Sequence, residues 1–277
     1  MFGFGSTVSP RFDGVMRMAF CVEEDGHRRQ AGVEVRQDRG GVHVAVVGDR
    51  LNHPAVVQQV ARILSLDHDG KAFLQVGKRD PVIGRLQAAA PGLRPPQFCS
   101  PYEAAAWAVL SARRPARQMA LVRQKLAAAT SPGFELAGER WHAFPTPAQL
   151  LEVSDFPGIP AVKLARLHEV ARAALAGRLD VAGLVAAGPD TAMARLQELP
   201  GIGPFYSTLV VVRSCGLTDV LAYEPNAMAA AGRLYGLDGP PSPAQFTSLA
   251  EHWRPFRTWC TVLLRAAETR LDQRVPA

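Results

Sequence analysis

The stretch Leu199-Pro200-Gly201-Ile202-Gly203-Pro204 lies between two segments that predict helices, and it decides the interpretation of the chain. Gly201 and Gly203 allow a tight turn with positive φ, and without Cβ atoms they let another molecule approach the backbone closely. Pro204 can occupy the first helical position, where a missing N–H costs nothing. Free N–H groups at the start of the next helix, at the positive end of its dipole, favour an anion such as phosphate.

A simpler interpretation of this turn is a plain helical hairpin, because such a hairpin also ends one helix at glycine and starts the next at proline. The complete Leu-Pro-Gly-Ile-Gly run favours the anion-binding hairpin instead. In that interpretation the side chain of Ile202 anchors the turn in the core.

The chain around the hairpin is predicted to be helical from about residue 102 onward, with residues 130–146 as a loop. Prolines and glycines delimit most segments, and Asp190 is predicted to cap the helix before the hairpin. The predicted helices cover residues 102–112, 115–129, 147–151, 160–176, 180–187, 190–199, 204–215, 225–234, 243–253 and 256–271.

The N-terminal part has a different pattern. Residues 15–22, 33–36 and 42–46 predict strands, and helices are predicted to start near Pro54 and near Asp80. Pro95-Pro96 and Ser100-Pro101 mark a boundary. We therefore predict an α+β protein, with a small β-rich N-terminal α/β domain at residues 1–98 and an all-helical core at residues 99–277 that contains the hairpin 199–204.

Composition narrows the class of protein. The net charge is +6 and the pI about 9.5, which favours an anionic partner such as nucleic acid. Cys21, Cys99, Cys215 and Cys260 lie far apart, so we expect buried reduced thiols and no zinc or iron–sulfur site. Residues 1–10 lack signal-peptide features and no apolar run is long enough to span a bilayer. We expect a cytoplasmic, soluble protein without membrane contact.

Several segments, in order, match one known group of proteins. They are Arg62-Ile63-Leu64-Ser65-Leu66-Asp67, Asp80-Pro81-Val82, Pro91-Gly92-Leu93-Arg94, Pro101-Tyr102-Glu103-Ala104, Ala108-Val109-Leu110-Ser111, Phe144-Pro145-Thr146-Pro147, Leu199 to Gly203 and Trp253-Arg254-Pro255-Phe256-Arg257. Through them the chain resembles the helix–hairpin–helix DNA glycosylase superfamily, and within it the bacterial 3-methyladenine DNA glycosylase II group. The resemblance spans about residues 54 to 270 and implies a β-rich domain packed on a helical glycosylase core.

The resemblance also implies how the hairpin binds DNA. Gly201, Ile202, Gly203 and Pro204 would contact the DNA backbone. The carbonyls of Gln197, Leu199 and Ile202 would hold a monovalent cation, Na⁺ or K⁺, that bridges the protein and a DNA phosphate. No cofactor is required for the chemistry itself.

This chain departs from the family at the position of the catalytic carboxylate. By motif position the family's Asp falls at or beside Pro225, and Glu224 is the nearest carboxylate. Glu224 could stabilise the cationic sugar that forms as the glycosidic bond breaks, or it could be a solvent-exposed residue that leads a helix. Asp219 is a second catalytic candidate, with capping or ending the loop after Gly216 as its alternative role.

Two further positions differ from relatives. Bifunctional relatives, which also cleave the DNA strand, carry Lys two residues after the second hairpin glycine, where this chain has Phe205. No Schiff-base nucleophile is therefore available at this position, and strand cleavage is not expected. Phe205 could stack on an extruded base or be a core aromatic. Arg265 occupies a place where close relatives carry an aromatic residue of the base pocket, which weakens the expectation of an alkylated-purine preference.

A third departure concerns the residues that fill the gap left by an extruded nucleotide. Relatives carry a Gln–Leu type pair there, and this chain has Ala112 and Arg113. Because Pro115 restricts the residue before it, the helix must end near Arg114, which lets Arg113 project from a corner. Arg113 could enter the duplex or simply belong to a basic surface.

Together these features predict a monomeric, monofunctional DNA glycosylase. It would flip a damaged, in the family often alkylated, base out of double-stranded DNA and hydrolyse the N-glycosidic bond. The alternative is a non-catalytic DNA-binding descendant of the same fold. The sequence does not name the base lesion.

Overall fold

The computed structural model describes residues 13–272, with side chains described as far as Ala266. The N-terminal stretch 1–10, predicted to lack a signal peptide, lies outside the described residues. In chain order the elements are β1 Val15–Cys21, β2 Gln30–Asp38, β3 Gly41–Val47, α1 His53–Ile63, α2 Gly70–Arg79, α3 Pro81–Ala89, α4 Pro101–Ser111, α5 Ala116–Thr130, β4 Phe134–Leu136, β5 Glu139–Trp141, α6 Pro147–Glu152, α7 Ala161–Leu175, α8 Val181–Ala186, α9 Pro189–Gln197, α10 Pro204–Ser214, α11 Pro225–Leu234, α12 Pro243–Glu251 and α13 Arg257–Asp272.

The predicted α+β class is confirmed. Strands β1, β2 and β3 form an antiparallel sheet in that order, with Val15 opposite Arg36 and Gly32 opposite Val47. Most of the remaining described elements are helices. Among the described residues, no helix is both long and apolar enough to cross a membrane.

The chain forms two compact units, and each is made of two separate stretches. Within the described residues, one unit contains residues 13–60 and 98–215, and the other contains residues 61–97 and 216–272. The boundary predicted at residues 98 and 99 lies within one residue of one of these breaks, but residues before it do not form a domain of their own, because residues 61–97 group with those from 216 onward. The prolines near residue 95 do break the helical pattern, but α3 packs against α13 within the second unit. Packing between elements far apart in sequence thus outweighs the local signal.

The first unit is built around α4, whose residues are all buried. Helices α5, α7 and α10 pack against it. The alanines of α4 allow this close approach, because a small side chain lets the neighbouring backbones come near. Helix α10 follows the hairpin, so its packing on α4 fixes the hairpin to the core of this unit.

The second unit has an aromatic core. Phe73 of α2 contacts Trp259 of α13, with ring centroids 5.0 Å apart, and Phe246 contacts Trp253 at 5.5 Å. Ile83 and Leu86 of α3 complete the buried cluster. This core supports α11 and α13, which carry Glu224 and Arg265.

Three local predictions are wrong. The stretch 130–146, predicted as a loop, contains the β4–β5 hairpin, whose three-residue strands are too short to show alternation. Helix α2 was not predicted at all. Helix α9 is capped by Gly188, and not by Asp190, because Pro189 already occupies the first helical position.

The predicted state of the cysteines is confirmed. All four are free and buried. Burial raises the pKa of the Cys21 and Cys260 thiols well above the usual value. These thiols therefore stay protonated at neutral pH and are poor nucleophiles.

Candidate active site and nucleic-acid interface

The hairpin connects α9 and α10 in a tight turn. Gly201 has φ +93°, the left-handed region in which a side chain is unfavourable. The Ile202 N–H donates a hydrogen bond to the Leu199 carbonyl at 3.0 Å. Ile202 is 3% exposed, so the predicted anchoring of the turn in the core is confirmed.

The N-terminus of α10 is free to bind an anion. Gly203 is its N-cap, and no side chain accepts a hydrogen bond from the first backbone N–H groups. Gly203 and Pro204 are exposed. The first turn of an eleven-residue helix therefore presents N–H groups and the positive end of the dipole at the surface.

A second helix packs against the hairpin, which the sequence did not suggest. A Cβ on Gly201 would lie 2.9 Å from Cδ of Arg166, so this side chain packs directly on the glycine and would have to move if a Cβ were added, while the positive φ independently favours glycine. Arg166 belongs to α7. The only sequence signal would have been a cationic side chain on an amphipathic helix, which is too common to single out.

The three carbonyls assigned to a cation come from the end of α9 and the turn that follows. Gln197 is the last residue of α9, so its carbonyl has no N–H partner within the helix. The Leu199 carbonyl accepts one bond, from Ile202, and an oxygen of this type has a second lone pair. Within the described residues no group of His, Cys, Asp and Glu side chains could hold a metal ion. The donor set fits a weakly held monovalent cation, which stays a prediction.

The turn between α4 and α5, residues 112–115, is called the α4–α5 turn below. Helix α4 ends at Ser111, and Arg113 follows with φ +56° and an exposed side chain. The Arg114 N–H donates to the Ser111 carbonyl at 3.1 Å, which closes the turn. Arg113 thus lies at an exposed corner, as predicted. Its role toward DNA stays a prediction.

Glu224 is the N-cap of α11, as its place before Pro225 requires. One carboxylate oxygen, Oε2, accepts the Ala227 N–H at 2.8 Å, and Oε1 accepts the Asn226 side-chain amide at 2.9 Å. The side chain is 21% exposed, and Oε1 lies 3.9 Å from a guanidinium nitrogen of Arg265. The carboxylate is therefore oriented and mostly shielded. The alternative interpretation is right that Glu224 leads a helix, but the carboxylate is not fully exposed to solvent.

Asp219 is in a different environment. Its Oδ1 accepts Nε of Arg257 at 2.8 Å and its Oδ2 accepts a guanidinium nitrogen of Arg254 at 2.9 Å. Both arginines also pair with Glu251. The charge of Asp219 is thus compensated twice, and the residue braces the segment that leads to Glu224. Its catalytic assignment stays a prediction.

Phe205 lies in the first turn of α10 and is 60% exposed. The interpretation as a core aromatic is therefore wrong. Its ring meets that of Tyr206 edge to face, with centroids 5.3 Å apart. An exposed aromatic beside the hairpin is suited to stacking on a base.

The known proteins that this chain resembles in sequence or in fold are described as DNA glycosylases or as DNA repair enzymes. No protein-family model matches the chain. It is 32% identical to the probable bifunctional transcriptional activator/DNA repair enzyme AlkA of Mycobacterium tuberculosis over 206 residues, which is 72% of this chain and 40% of that protein. It is 29% identical to DNA-3-methyladenine glycosylase 2 of Escherichia coli over 187 residues, 64% of this chain and 61% of that protein. The chain thus spans less than two thirds of these relatives.

A solved structure has the same fold over nearly the whole chain. The 3-methyladenine DNA glycosylase from Archaeoglobus fulgidus superposes with a TM-score of 0.76 at 19% identity, covering 95% of this chain and 90% of that one. These findings confirm the predicted resemblance to the helix–hairpin–helix DNA glycosylase superfamily. In sequence the chain is similar to AlkA-like proteins, the 3-methyladenine DNA glycosylase II group.

Proposed function

We propose that this protein is a monofunctional DNA glycosylase that acts as a monomer on double-stranded DNA and releases a damaged base. The observation that carries the proposal is the state of Glu224. The carboxylate is fixed by two hydrogen bonds at the N-terminus of α11 and is mostly shielded from water. A fixed carboxylate of this kind stabilises positive charge that develops during a reaction.

The chemistry follows from the bond that breaks. The N-glycosidic bond cleaves with its electron pair leaving on the base, and the sugar carbon becomes cationic. The Glu224 carboxylate stabilises that cation, and water then adds to the sugar carbon and loses a proton. The products are the free base and an intact strand with an abasic site.

The hairpin and the α4–α5 turn would hold the DNA. Gly201, Ile202, Gly203 and Pro204 give the backbone surface that accepts a phosphate, next to the free N-terminus of α10. The carbonyls of Gln197, Leu199 and Ile202 would hold a monovalent cation, which supplies positive charge toward a phosphate when bound.

Two exposed side chains would act on the extruded nucleotide and the gap it leaves. Arg113 would enter the duplex, where a guanidinium plane stacks on bases. Phe205 would stack on a base. Arg265, beside Glu224, would line the base pocket.

The assay that tests the proposal uses a panel of duplexes with alkylated, deaminated and oxidised bases under single-turnover conditions. Glu224→Gln keeps an oxygen for the Ala227 N–H but removes the charge. Base release should fall by about 100-fold or more, the scale of losing one key electrostatic group. DNA affinity should change little.

Asp219→Asn is the matched control, since it removes a carboxylate whose charge two arginines already compensate. It should release bases at nearly the wild-type rate. If base release falls more in Asp219→Asn than in Glu224→Gln, Asp219 is the catalytic carboxylate and Glu224 is not. Tight duplex binding without release from any lesion would instead support the non-catalytic DNA-binding protein.

A further inference from the structure

Lys163, in the first turn of α7, reaches the end of α4. Its ammonium donates hydrogen bonds to three carbonyls, those of Val109 at 2.9 Å, Leu110 at 2.6 Å and Ala112 at 2.8 Å. An ammonium has three protons to donate, so the geometry uses all of them. The side chain is partly buried.

These contacts complete the hydrogen bonding of the helix end. The last four carbonyls of a helix lack partners within it. Here the Ala108 carbonyl accepts the Ala112 N–H, and the Ser111 carbonyl accepts the Arg114 N–H. Lys163 satisfies Val109, Leu110 and Ala112. Every carbonyl from residue 108 to 112 is therefore accounted for, and one distant side chain supplies three of the bonds.

The residue that follows is in an unfavourable conformation. Arg113 has φ +56°, the left-handed region in which helices commonly place glycine because a side chain is disfavoured there. Such a conformation persists only if its surroundings fix it. The Lys163 bonds lie immediately before it and fix the backbone from which Arg113 projects.

The same helix also contacts the hairpin. Arg166 lies three residues after Lys163, so the two side chains share a face of α7. Arg166 packs against Gly201, as described above. Helix α7 thus contacts both the α4–α5 turn and the hairpin, all within one compact unit.

The charges around Lys163 are consistent with an anionic partner. Burial, and then the nearby charges of Arg114 and Arg166, lower the pKa of Lys163. Three cationic side chains held near one another repel, and a polyanion bound over them would relieve that repulsion.

We propose that Lys163 is a positioning residue for DNA recognition. By holding the α4 carbonyls it presets the conformation of Arg113 for entry into the gap in the duplex, and through α7 it fixes the distance of Arg113 from the hairpin. This inference rests on the proposed function. It concerns how a recognition residue is held, and Lys163 itself need not touch DNA.

The test compares affinities for a duplex with an abasic-site analogue and for the same duplex intact, at one salt concentration. Lys163→Met removes the three bonds, and Lys163→Arg restores a cationic donor. We expect Lys163→Met to weaken abasic-site binding by about tenfold more than intact-duplex binding, or about 1.4 kcal/mol. Lys163→Arg should recover part of the difference. Lys125→Met, on the exposed face of α5, controls for the loss of one lysine charge.

A double-mutant cycle with Arg113→Ala separates the inference from the proposed function. If Lys163 acts through Arg113, the double variant should prefer the abasic-site duplex over the intact duplex to the same degree as Arg113→Ala alone. If Arg113→Ala alone abolishes the preference but Lys163→Met leaves it intact, the positioning role is wrong and Arg113 keeps its role. If Arg113→Ala leaves the preference unchanged, the proposed role of Arg113 is wrong, and the positioning role of Lys163 is wrong with it.

Because the loss of three hydrogen bonds weakens folding, Lys163→Gln, which is neutral and keeps an amide NH₂ that can donate to these carbonyls, is measured alongside. Circular dichroism confirms folding for each protein. Equal losses on both duplexes for the folded Met or Gln variant would show that Lys163 contributes only charge or stability, and would overturn the proposal.

Discussion

A guanidinium nitrogen of Arg265 lies 3.9 Å from the carboxylate of Glu224. The two residues belong to α13 and to the N-cap of α11, whose helices pack against each other in one unit. A carboxylate proposed to stabilise a cationic sugar therefore already has a cationic neighbour. This pairing has a consequence for the base that the site accepts, because a guanine methylated at N7 carries a positive charge while it is attached to the sugar, and hypoxanthine does not.

Arg265→Met should shift selectivity toward positively charged bases. The guanidinium repels a cationic base, and removing it should raise release of 7-methylguanine relative to hypoxanthine by about tenfold, or 1.4 kcal/mol. Single-turnover rates on two matched duplexes measure the ratio. Arg254→Met, an arginine paired with Asp219 and Glu251, is the control and should leave the ratio unchanged. An unchanged ratio in Arg265→Met would remove Arg265 from the base pocket.

A substitution at Gly203 tests the hairpin. No atom lies within 4 Å of a Cβ added there, and its φ is −93°, so a side chain fits without strain. Asp and Asn are both good N-caps and nearly equal in size. Gly203→Asp should weaken DNA binding more than Gly203→Asn and should lower the salt dependence of binding, because a negative charge then faces the phosphate. Affinities measured over a range of salt concentrations decide this, and equal behaviour of the two variants would exclude a phosphate at α10.

The reaction product tests the absence of lyase activity. With Phe205 at the position of the family's lysine, the strand should remain intact at the abasic site after base release. Borohydride should trap no covalent protein–DNA adduct, since trapping requires a Schiff base with an amine. Denaturing electrophoresis before and after alkali shows whether the strand was cut. Efficient trapping by the wild-type protein would mean that another lysine acts as nucleophile.

Asp80 should be a major source of stability. Its Oδ1 accepts the Val82 and Ile83 N–H groups at the start of α3, and its Oδ2 accepts the Trp253 indole N–H at 2.8 Å and the Tyr235 hydroxyl. Burial and the hydrogen bond to Asp80 raise the pKa of that Tyr235 hydroxyl. Asp80→Ala removes the acceptor of the buried Ile83 N–H and of the Tyr235 hydroxyl, whereas the Trp253 N–H keeps its contact with Tyr235 at 3.2 Å. The substitution should lower the free energy of unfolding by about 3 kcal/mol or more.

Asp69→Ala is the matched control for Asp80→Ala. Asp69 caps α2 in the same way but accepts only a backbone N–H, at 2.8 Å, so its loss should cost about 1 kcal/mol. Urea denaturation of both variants gives the difference that belongs to the buried network. Equal losses would mean that the contacts to Trp253 and Tyr235 contribute nothing.

The parts of the structure that were predictable are those encoded locally. The glycines and prolines of the hairpin set its backbone, and Pro225 sets the start of α11, so the hairpin and the capping position of Glu224 follow from short motifs. Lys163 could not be predicted in the same way. Its partners lie more than 50 residues away in sequence, and nothing in the sequence around it distinguishes it from a surface lysine.

The grouping of residues 61–97 with the C-terminal part was missed for the same reason, although a break at residues 97 and 98 lies within one residue of the predicted boundary. Prolines near residue 95 look like a domain limit, but α3 belongs with α13 because their apolar faces pack together. Helix α2 is a different case, because its signal is local: Asp69 caps its start, and Phe73 and Val76 form its buried face. The grouping of segments and the contacts of Lys163 depend on partners distant in sequence, whereas the prediction of α2 missed a pattern present in the sequence itself.

The interleaved units constrain how the chain folds as it is synthesised. Residues 61–97 leave the ribosome with Phe73, Ile83 and Leu86, whose packing partners Trp253 and Trp259 are added much later. Until then these side chains expose an apolar surface that chaperones can recognise. A chain terminated before α13 should therefore leave α2 and α3 poorly folded, although both helices are complete and lie far upstream of the truncation.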